Sequence, residues 1–141
     1  PTFTNLNNNQ LKKEVFKIWK TISPVIFIIT LGVFVSKDLI INILFTSEFN
    51  LINSLILFHL LGDVIKINCW VLGNILVAKA KTNHFILFQV EWSILFVVLS
   101  IILTNIYGFV GLSIAYFVTY VIHFLLLNIY FRKLLWRALN K

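Results

Sequence analysis

Four long apolar stretches are the feature of this sequence that most restricts its fold. They lie at about residues 19–35, 51–78, 85–103 and 111–131. A helix needs about 20 mostly apolar residues to cross a bilayer, with a range of roughly 17–25. Because hydrocarbon tolerates no lipid-exposed loop or open sheet edge, the four stretches are predicted to be helices. The sequence therefore predicts an all-α, polytopic membrane protein with four transmembrane helices.

The composition agrees with burial in a membrane. Of the 141 residues, 60% are hydrophobic and 12% are charged, whereas soluble domains have about 45–50% apolar and about 25% charged residues. The single cysteine, Cys69, excludes an internal disulfide framework. The chain begins at Pro1 with a polar stretch that is no signal peptide. We therefore expect a fragment of a longer protein.

Basic residues flank the four stretches asymmetrically. In a four-span topology, one side of the membrane would hold Lys12, Lys13, Lys17, Lys20, Lys79, Lys81, Arg132, Lys133, Arg137 and Lys141. An excess of positive charge in short connections marks the cytoplasmic side. Both ends of the chain are therefore predicted to be cytoplasmic, with residues 1–18 as a cytoplasmic loop and 19–141 as the membrane portion with a basic tail. Because these positions follow the topology, the net charge of +7 does not indicate nucleic-acid binding.

The connection at 36–50 leaves two possibilities open. Its apolar part, at about 39–45, is too short to cross the membrane and return. It is either an extension of the first helix or an interfacial segment.

Two charged residues, Asp63 and Lys66, lie near the midpoint of the second stretch. A charge at the centre of a bilayer costs at least about 2.5–3.5 kcal/mol. At 100° per residue these two share one helix face with His59, Gly62, Trp70 and Gly73. The opposite face is mainly Leu, Ile and Val, with Asn68 as the exception. The polar face is therefore predicted to look into protein or into a water-filled cavity.

Two compatible interpretations of this face remain. As an i,i+3 pair, Asp63 and Lys66 can neutralise each other and dock the helix onto a neighbour. Alternatively, Lys66 lines a cavity and offers positive charge to an anionic substrate, with Asp63 fixing its position. Ionisable residues inside membranes mark transport pathways more often than random polar positions do, which supports the second interpretation and leaves the first open.

Weaker polar patterns occur in the third and fourth stretches. Glu91 is either a proton-binding or cavity residue, or the partner of a basic residue from outside this chain. In the fourth stretch one face carries Tyr116, Thr119, Tyr120 and His123. Such residues usually form hydrogen bonds between helices, and proton carriage by His123 is the alternative.

Motifs of enzymes and cofactor sites are missing from the sequence. It has no P-loop, no His/Cys cluster with metal spacing and no Gly-rich dinucleotide turn. Its five acidic residues are scattered. No cofactor and no enzymatic activity are therefore predicted.

One segment, GDVIKINCWVLGNILVAKA at 62–80, resembles a stretch of bacterial O-antigen translocases and of the related lipid III flippases. These belong to the multidrug/oligosaccharidyl-lipid/polysaccharide flippase superfamily. The matching positions are Gly62, Asp63, Lys66, Trp70, Gly73 and 78–80. Three flanking features fit as well: the opening PTFTNL, the KDLIINILFTSEF segment and Glu91.

The resemblance implies a protein of about twelve spans in two six-helix lobes, of which this chain would be the last four. It implies movement of undecaprenyl-pyrophosphate-linked oligosaccharide from the cytoplasmic to the periplasmic leaflet of the bacterial inner membrane. Lys66 would be the counter-charge for the pyrophosphate, and Asp63 its orienting partner. Trp70 and the tyrosines would stack on sugars. At the cytoplasmic mouth, Lys79 and Lys81 would attract the substrate.

The partners implied by the resemblance are the lipid-linked oligosaccharide, the phospholipid bilayer, the missing N-terminal helices and the polysaccharide polymerase machinery. Two alternatives stay open. One is a cation-coupled drug exporter of the same superfamily, in which Asp63 or Glu91 would bind the coupling ion. The other is a non-transport membrane protein, either a scaffold for polysaccharide assembly or an enzyme subunit.

Overall fold

Four long helices make up the fold. The computed structural model describes residues 5–39 and 50–132. The helices are α1 (Asn8–Val35), α2 (Asn50–Ala78), α3 (Thr82–Tyr107) and α4 (Val110–Tyr130). Each contains a segment long and apolar enough to cross a membrane. The prediction of an all-α membrane fold with four candidate spans is confirmed.

The start of α1 differs from its predicted position. Residues 8–18, assigned from the sequence to a loop, continue α1 toward the N-terminus. Asn7 caps the helix, because its Oδ1 accepts from the backbone N–H of Asn9 at 2.9 Å and of Gln10 at 3.2 Å. In the reciprocal hydrogen bond, Gln10 Oε1 accepts from the backbone N–H of Asn7 at 3.0 Å. This capping box begins the helix well before its apolar part.

The other end of α1 leads toward a segment outside the described residues. The helix ends at Val35, where the backbone N–H of Ser36 donates to the Gly32 carbonyl at 3.0 Å. Residues 37–39 are helical again. Residues 40–49, on which the choice between a helix extension and an interfacial segment depends, lie outside the description. So do 1–4 and the basic tail at 133–141.

The helix α4 is central to the packing, since it contacts both α2 and α3, while α1 packs on α2. The largest fully buried apolar side chains lie where the start of α1 meets the ends of α2 and α4. They are Leu11, Val15, Leu72, Ile75, Leu76 and Leu127. The common core is therefore at the end of the bundle that the charge pattern predicts to be cytoplasmic.

Much of the apolar surface of α1 and α3 is left uncovered. Examples are Phe27, Ile28, Val35, Leu87, Ile94, Ile101 and Ile106. In water such a surface would oppose folding, whereas acyl chains and other apolar helices are equally good surroundings for it. The polar contacts of α4 reach Asp63 and Lys66 of α2 and Glu91 of α3.

Candidate functional site

Four side chains form a polar group between α2 and α4, which we call the charge cluster: His59, Asp63, Lys66 and Tyr116. The Tyr116 hydroxyl donates to Asp63 Oδ1 at 2.7 Å. Lys66 Nζ donates to the same hydroxyl oxygen at 3.2 Å. The direct distance from Lys66 Nζ to Asp63 Oδ1 is 3.9 Å. The phenol therefore bridges the two charges, and it docks α2 onto α4 at the same time.

Aromatic rings surround the Lys66 ammonium. Its Nζ lies 5.7 Å from the Tyr116 ring centroid, 5.8 Å from Trp70 and 5.9 Å from Tyr120. Ring faces at this distance attract a cation. The His59 ring stacks on the Tyr116 ring, with the ring centroids 4.2 Å apart and an interplanar angle of 10°. Neutral rings and the Tyr116 hydroxyl therefore surround the ammonium in addition to Asp63.

The charge cluster is open to its surroundings. The Lys66 side chain is 32% exposed and that of Asp63 is 41% exposed. An ammonium has three donors, and in the described part of the chain one of them donates to Tyr116. Lys66 can therefore donate hydrogen bonds to an anionic ligand while it keeps its present contacts.

A close approach of α2 and α4 at Gly62 positions the cluster. A Cβ atom placed on Gly62 would lie 2.6 Å from Tyr116 Cδ1 and 3.5 Å from the Phe117 Cα. Small residues allow helix backbones in membranes to come close. Gly62 therefore sets the distance at which Tyr116 reaches Asp63.

The structure brings together four of the residues predicted from the polar face, His59, Asp63, Lys66 and Trp70. Trp70 is 61% exposed and lies beside Lys66. Asn68, on the opposite face, has its own partner, because Ser23 Oγ of α1 and Asn68 Oδ1 are 3.0 Å apart. This contact ties α1 to α2.

Lys79 and Lys81 lie apart from the charge cluster, at the end of α2 and in the following turn. Lys79 Nζ donates to the Leu6 carbonyl at 2.7 Å. Lys81 Nζ lies 5.9 Å from the Tyr130 ring centroid. Both line a cavity of about 500 Å³ between the start of α1 and the ends of α2 and α4. Their role at a cytoplasmic mouth stays a prediction.

Glu91 contacts a partner within this chain, and we call Glu91 and His123 the buried pair. Glu91 Oε2 is 2.7 Å from His123 Nδ1, and the side chains are 24% and 7% exposed. Among the described residues, Glu91 Oε1 is buried and has no hydrogen-bond partner. Sequence reasoning singled out both residues but did not pair them, since only the packing of α3 on α4 brings them together.

A cavity of about 480 Å³, which we call the aromatic cavity, lies between α2, α3 and α4. Its lining residues come from all three helices: Cys69, Trp70, Gly73, Asn74, Leu76, Phe85, Phe88, Gln89, Trp92, Tyr120, His123 and Leu127. Sequence reasoning missed most of this wall. The periodicity of α3 places Phe85, Phe88, Gln89 and Trp92 on one side, but an aromatic stripe at helical spacing is most often core.

The chain was compared with known proteins. No family model matches it, and no solved structure matches it. Two curated relatives are the lipid III flippases of Escherichia coli (strain K12) and Shigella flexneri. Each is 31% identical to this chain over 138 residues, which is 97% of this chain. The chain spans 33% of the length of these relatives. The resemblance to lipid-linked oligosaccharide flippases that residues 62–80 indicate is thereby confirmed over almost the whole chain.

Proposed function

We propose that this chain is part of a flippase that moves undecaprenyl-pyrophosphate-linked oligosaccharide across the bacterial inner membrane. The observation that carries the proposal is the position of the Lys66 ammonium. It lies in the middle of a membrane-spanning helix, is partly exposed, and keeps donor capacity for a ligand. The similarity to proteins named lipid III flippase supports the same conclusion.

A pyrophosphate needs such a group in order to cross a bilayer. Transferring an unpaired charge into an apolar medium is very costly, and ionisable residues facing a cavity lower this cost along transport pathways. The surrounding rings of Trp70, Tyr116 and Tyr120 hold the ammonium without neutralising it fully. In this proposal Lys66 is the counter-charge of the pyrophosphate, and Asp63 and Tyr116 fix its position.

The transport itself requires no covalent chemistry. Rocking of two helical lobes around a central site exposes that site to each side in turn. The lipid-linked substrate, the bilayer and the remaining helices of the protein are the partners that this mechanism needs. In the proposed topology both ends of the chain are cytoplasmic, so Lys79 and Lys81 would meet the substrate first.

The test is complementation of a strain that lacks its flippase by the full-length protein. Replacement of the ammonium in Lys66→Ala is expected to lower surface polysaccharide at least about tenfold, equivalent to about 1.4 kcal/mol. Lys37→Ala is the matched control, since Lys37 lies after the end of α1 and contacts the Phe34 ring at 5.1 Å. The amount of protein in the membrane is measured for each variant.

Two results would contradict the proposal. Normal surface polysaccharide with the double variant Lys66→Ala, Asp63→Ala would restrict the charge cluster to helix packing. Resistance to cationic dyes, gained by cells that express the wild type, would favour a cation-coupled drug exporter instead.

A further inference from the structure

The aromatic cavity and the charge cluster share a wall. Trp70 and Tyr120 line the cavity. The same two rings lie 5.8 and 5.9 Å from Lys66 Nζ. A group that is bonded to an anion held by Lys66 would therefore lie at the entrance of the cavity. In the substrate class proposed above, that group is a sugar.

The cavity has the size and surface of a site for a small polar molecule. Its volume of about 480 Å³ falls within the roughly 300–1,000 Å³ of typical ligand pockets, whose apolar walls carry a few polar groups. Phe85, Phe88, Trp92 and Tyr120 contribute aromatic rings to the wall. Flat aromatic surfaces pack well against the C–H faces of a pyranose ring.

Polar side chains in this wall are available to a ligand. Asn74 and Gln89 line the cavity from α2 and α3, and both are exposed. Within the part of the chain that the structure describes, neither side-chain amide forms a hydrogen bond. An amide supplies both donors and acceptors, as hydroxyl groups require. A side-chain amide in apolar surroundings is costly unless a ligand, water or another helix forms hydrogen bonds with it.

The buried pair adds a third polar group to the cavity. His123 is 7% exposed on its side chain, and Glu91 holds its Nδ1 at 2.7 Å. This contact at Nδ1 orients the ring. The second ring nitrogen, Nε2, has no hydrogen-bond partner among the described residues. Since His123 lines the cavity, Nε2 is the nitrogen available to a bound hydroxyl.

We infer that the aromatic cavity is a saccharide subsite, in which Asn74 and Gln89 bind hydroxyl groups of the sugar next to the phosphate at Lys66. The inference rests on the proposed function. It assigns Lys66 to the anionic part of the ligand and the two amides to its sugar. Losses at the two places are therefore separable.

The experiment measures binding of two ligands to the purified full-length protein, in a detergent without a sugar headgroup. One ligand is undecaprenyl pyrophosphate, and the other is the same lipid carrying its oligosaccharide unit. We expect the sugar-bearing lipid to bind about tenfold more tightly, from about two net hydrogen bonds. The double variant Asn74→Leu, Gln89→Leu should reduce this ratio to about one and leave binding of the sugar-free lipid unchanged.

Control variants separate the subsite from the charge cluster. Lys66→Gln should weaken the binding of both lipids by a similar factor and leave the ratio of the two affinities unchanged. Asn105→Leu replaces an exposed amide of α3 that does not line the cavity, and it should change neither affinity. If the double variant unfolds, Gln89→Ala alone should still lower the ratio about threefold.

The outcomes distinguish the two proposals. An unchanged ratio in the double variant, with weaker binding in Lys66→Gln, would overturn the subsite and leave the proposed function standing. Equal affinity of the wild type for the two lipids would also overturn the subsite. Failure of the wild type to bind either lipid would contradict the proposed function, and the subsite with it.

Discussion

The charge cluster and the buried pair both join an acidic and a basic side chain across helices, but they differ in geometry. In the charge cluster the acid and the base are 3.9 Å apart, are 41% and 32% exposed, and are bridged by the Tyr116 hydroxyl. In the buried pair the two atoms are 2.7 Å apart, and the side chains are 24% and 7% exposed. One contact is loose and open, and the other is short and largely enclosed.

The distance and the exposure of the two contacts, rather than the presence of charge, distinguish a group that can bind a ligand from one that packs helices together. The short Glu91–His123 contact fixes α3 against α4, so removing His123 leaves the largely enclosed Glu91 carboxylate without its partner. The open pair leaves part of the Lys66 ammonium available to a third group. Exposure therefore points to Lys66 as the group that meets a charged ligand, while His123 mainly packs and leaves only Nε2 for a ligand in the aromatic cavity.

The largest effect is expected from breaking the buried pair. His123→Ala should lower the free energy of unfolding by about 3 kcal/mol, because it leaves the Glu91 carboxylate buried without a partner. Thermal unfolding of the full-length protein in detergent measures this. His84→Ala is the matched control, since His84 is exposed near the start of α3.

A double variant sharpens that result. Replacement of both members in Glu91→Leu, His123→Leu should restore most of the lost stability, because no charge is then stranded. If His123→Ala instead leaves stability unchanged and abolishes transport, the buried pair belongs with the binding groups and the contrast drawn above is wrong.

The second effect concerns Asp63 in the charge cluster. Asp63→Asn should reduce transport about tenfold, equivalent to about 1.4 kcal/mol, because the ammonium loses the acid that fixes its position. Stability should fall by less than about 1 kcal/mol, as for other exposed pairs. Complementation and thermal unfolding are measured on the same variant. A loss of stability as large as that of His123→Ala would show that the two clusters do not differ in kind.

The third effect concerns the bridging hydroxyl. Tyr116→Phe keeps the ring that stacks on His59 but removes the donor to Asp63. An interhelical hydrogen bond of this kind stabilises a membrane protein by about 0.6 kcal/mol on average and at most by about 1.7, and we expect a loss of about 1 kcal/mol. Tyr107→Phe, at an exposed position, is the control. A stability equal to wild type would mean that ring packing alone docks α2 on α4.

The smallest effect is expected at the α1–α2 contact, outside both clusters. Ser23→Ala removes the contact with Asn68 and should lower stability by about 0.6 kcal/mol without changing transport. Ser36→Ala, at the exposed end of α1, is the control. A transport defect in Ser23→Ala would extend the functional region to the opposite face of α2.

Particular residues show how far the sequence could predict the site. The shared face of His59, Asp63 and Lys66 follows from helical periodicity, and the structure places these side chains together. The early start of α1 was missed although its signal, Asn7 followed by Gln10, is present in the sequence. The apolar pattern locates the membrane part of a helix, and a capping box can begin that helix several turns outside it.

The interhelical partners could not be predicted in the same way. Tyr116 is 53 residues from Asp63, and His123 is 32 residues from Glu91. Periodicity states which residues share a face of one helix, but not which two faces meet or at what height. For the same reason the aromatic stripe of Phe85, Phe88 and Trp92 could equally have been ordinary core.

By itself, the sequence determined the number of candidate spans, their helical nature and the polar face of α2, because these depend on local length, hydropathy and a fixed angle per residue. Only the tertiary structure decided that Tyr116 bridges Asp63 and Lys66, that Glu91 has a partner inside this chain, and that a cavity opens beside the Lys66 ammonium. The physical reason is that each of these features depends on how two helices pack: α2 on α4, which approach closely at Gly62, and α3 on α4, which brings Glu91 to His123. Periodicity describes each helix separately and does not fix their relative register.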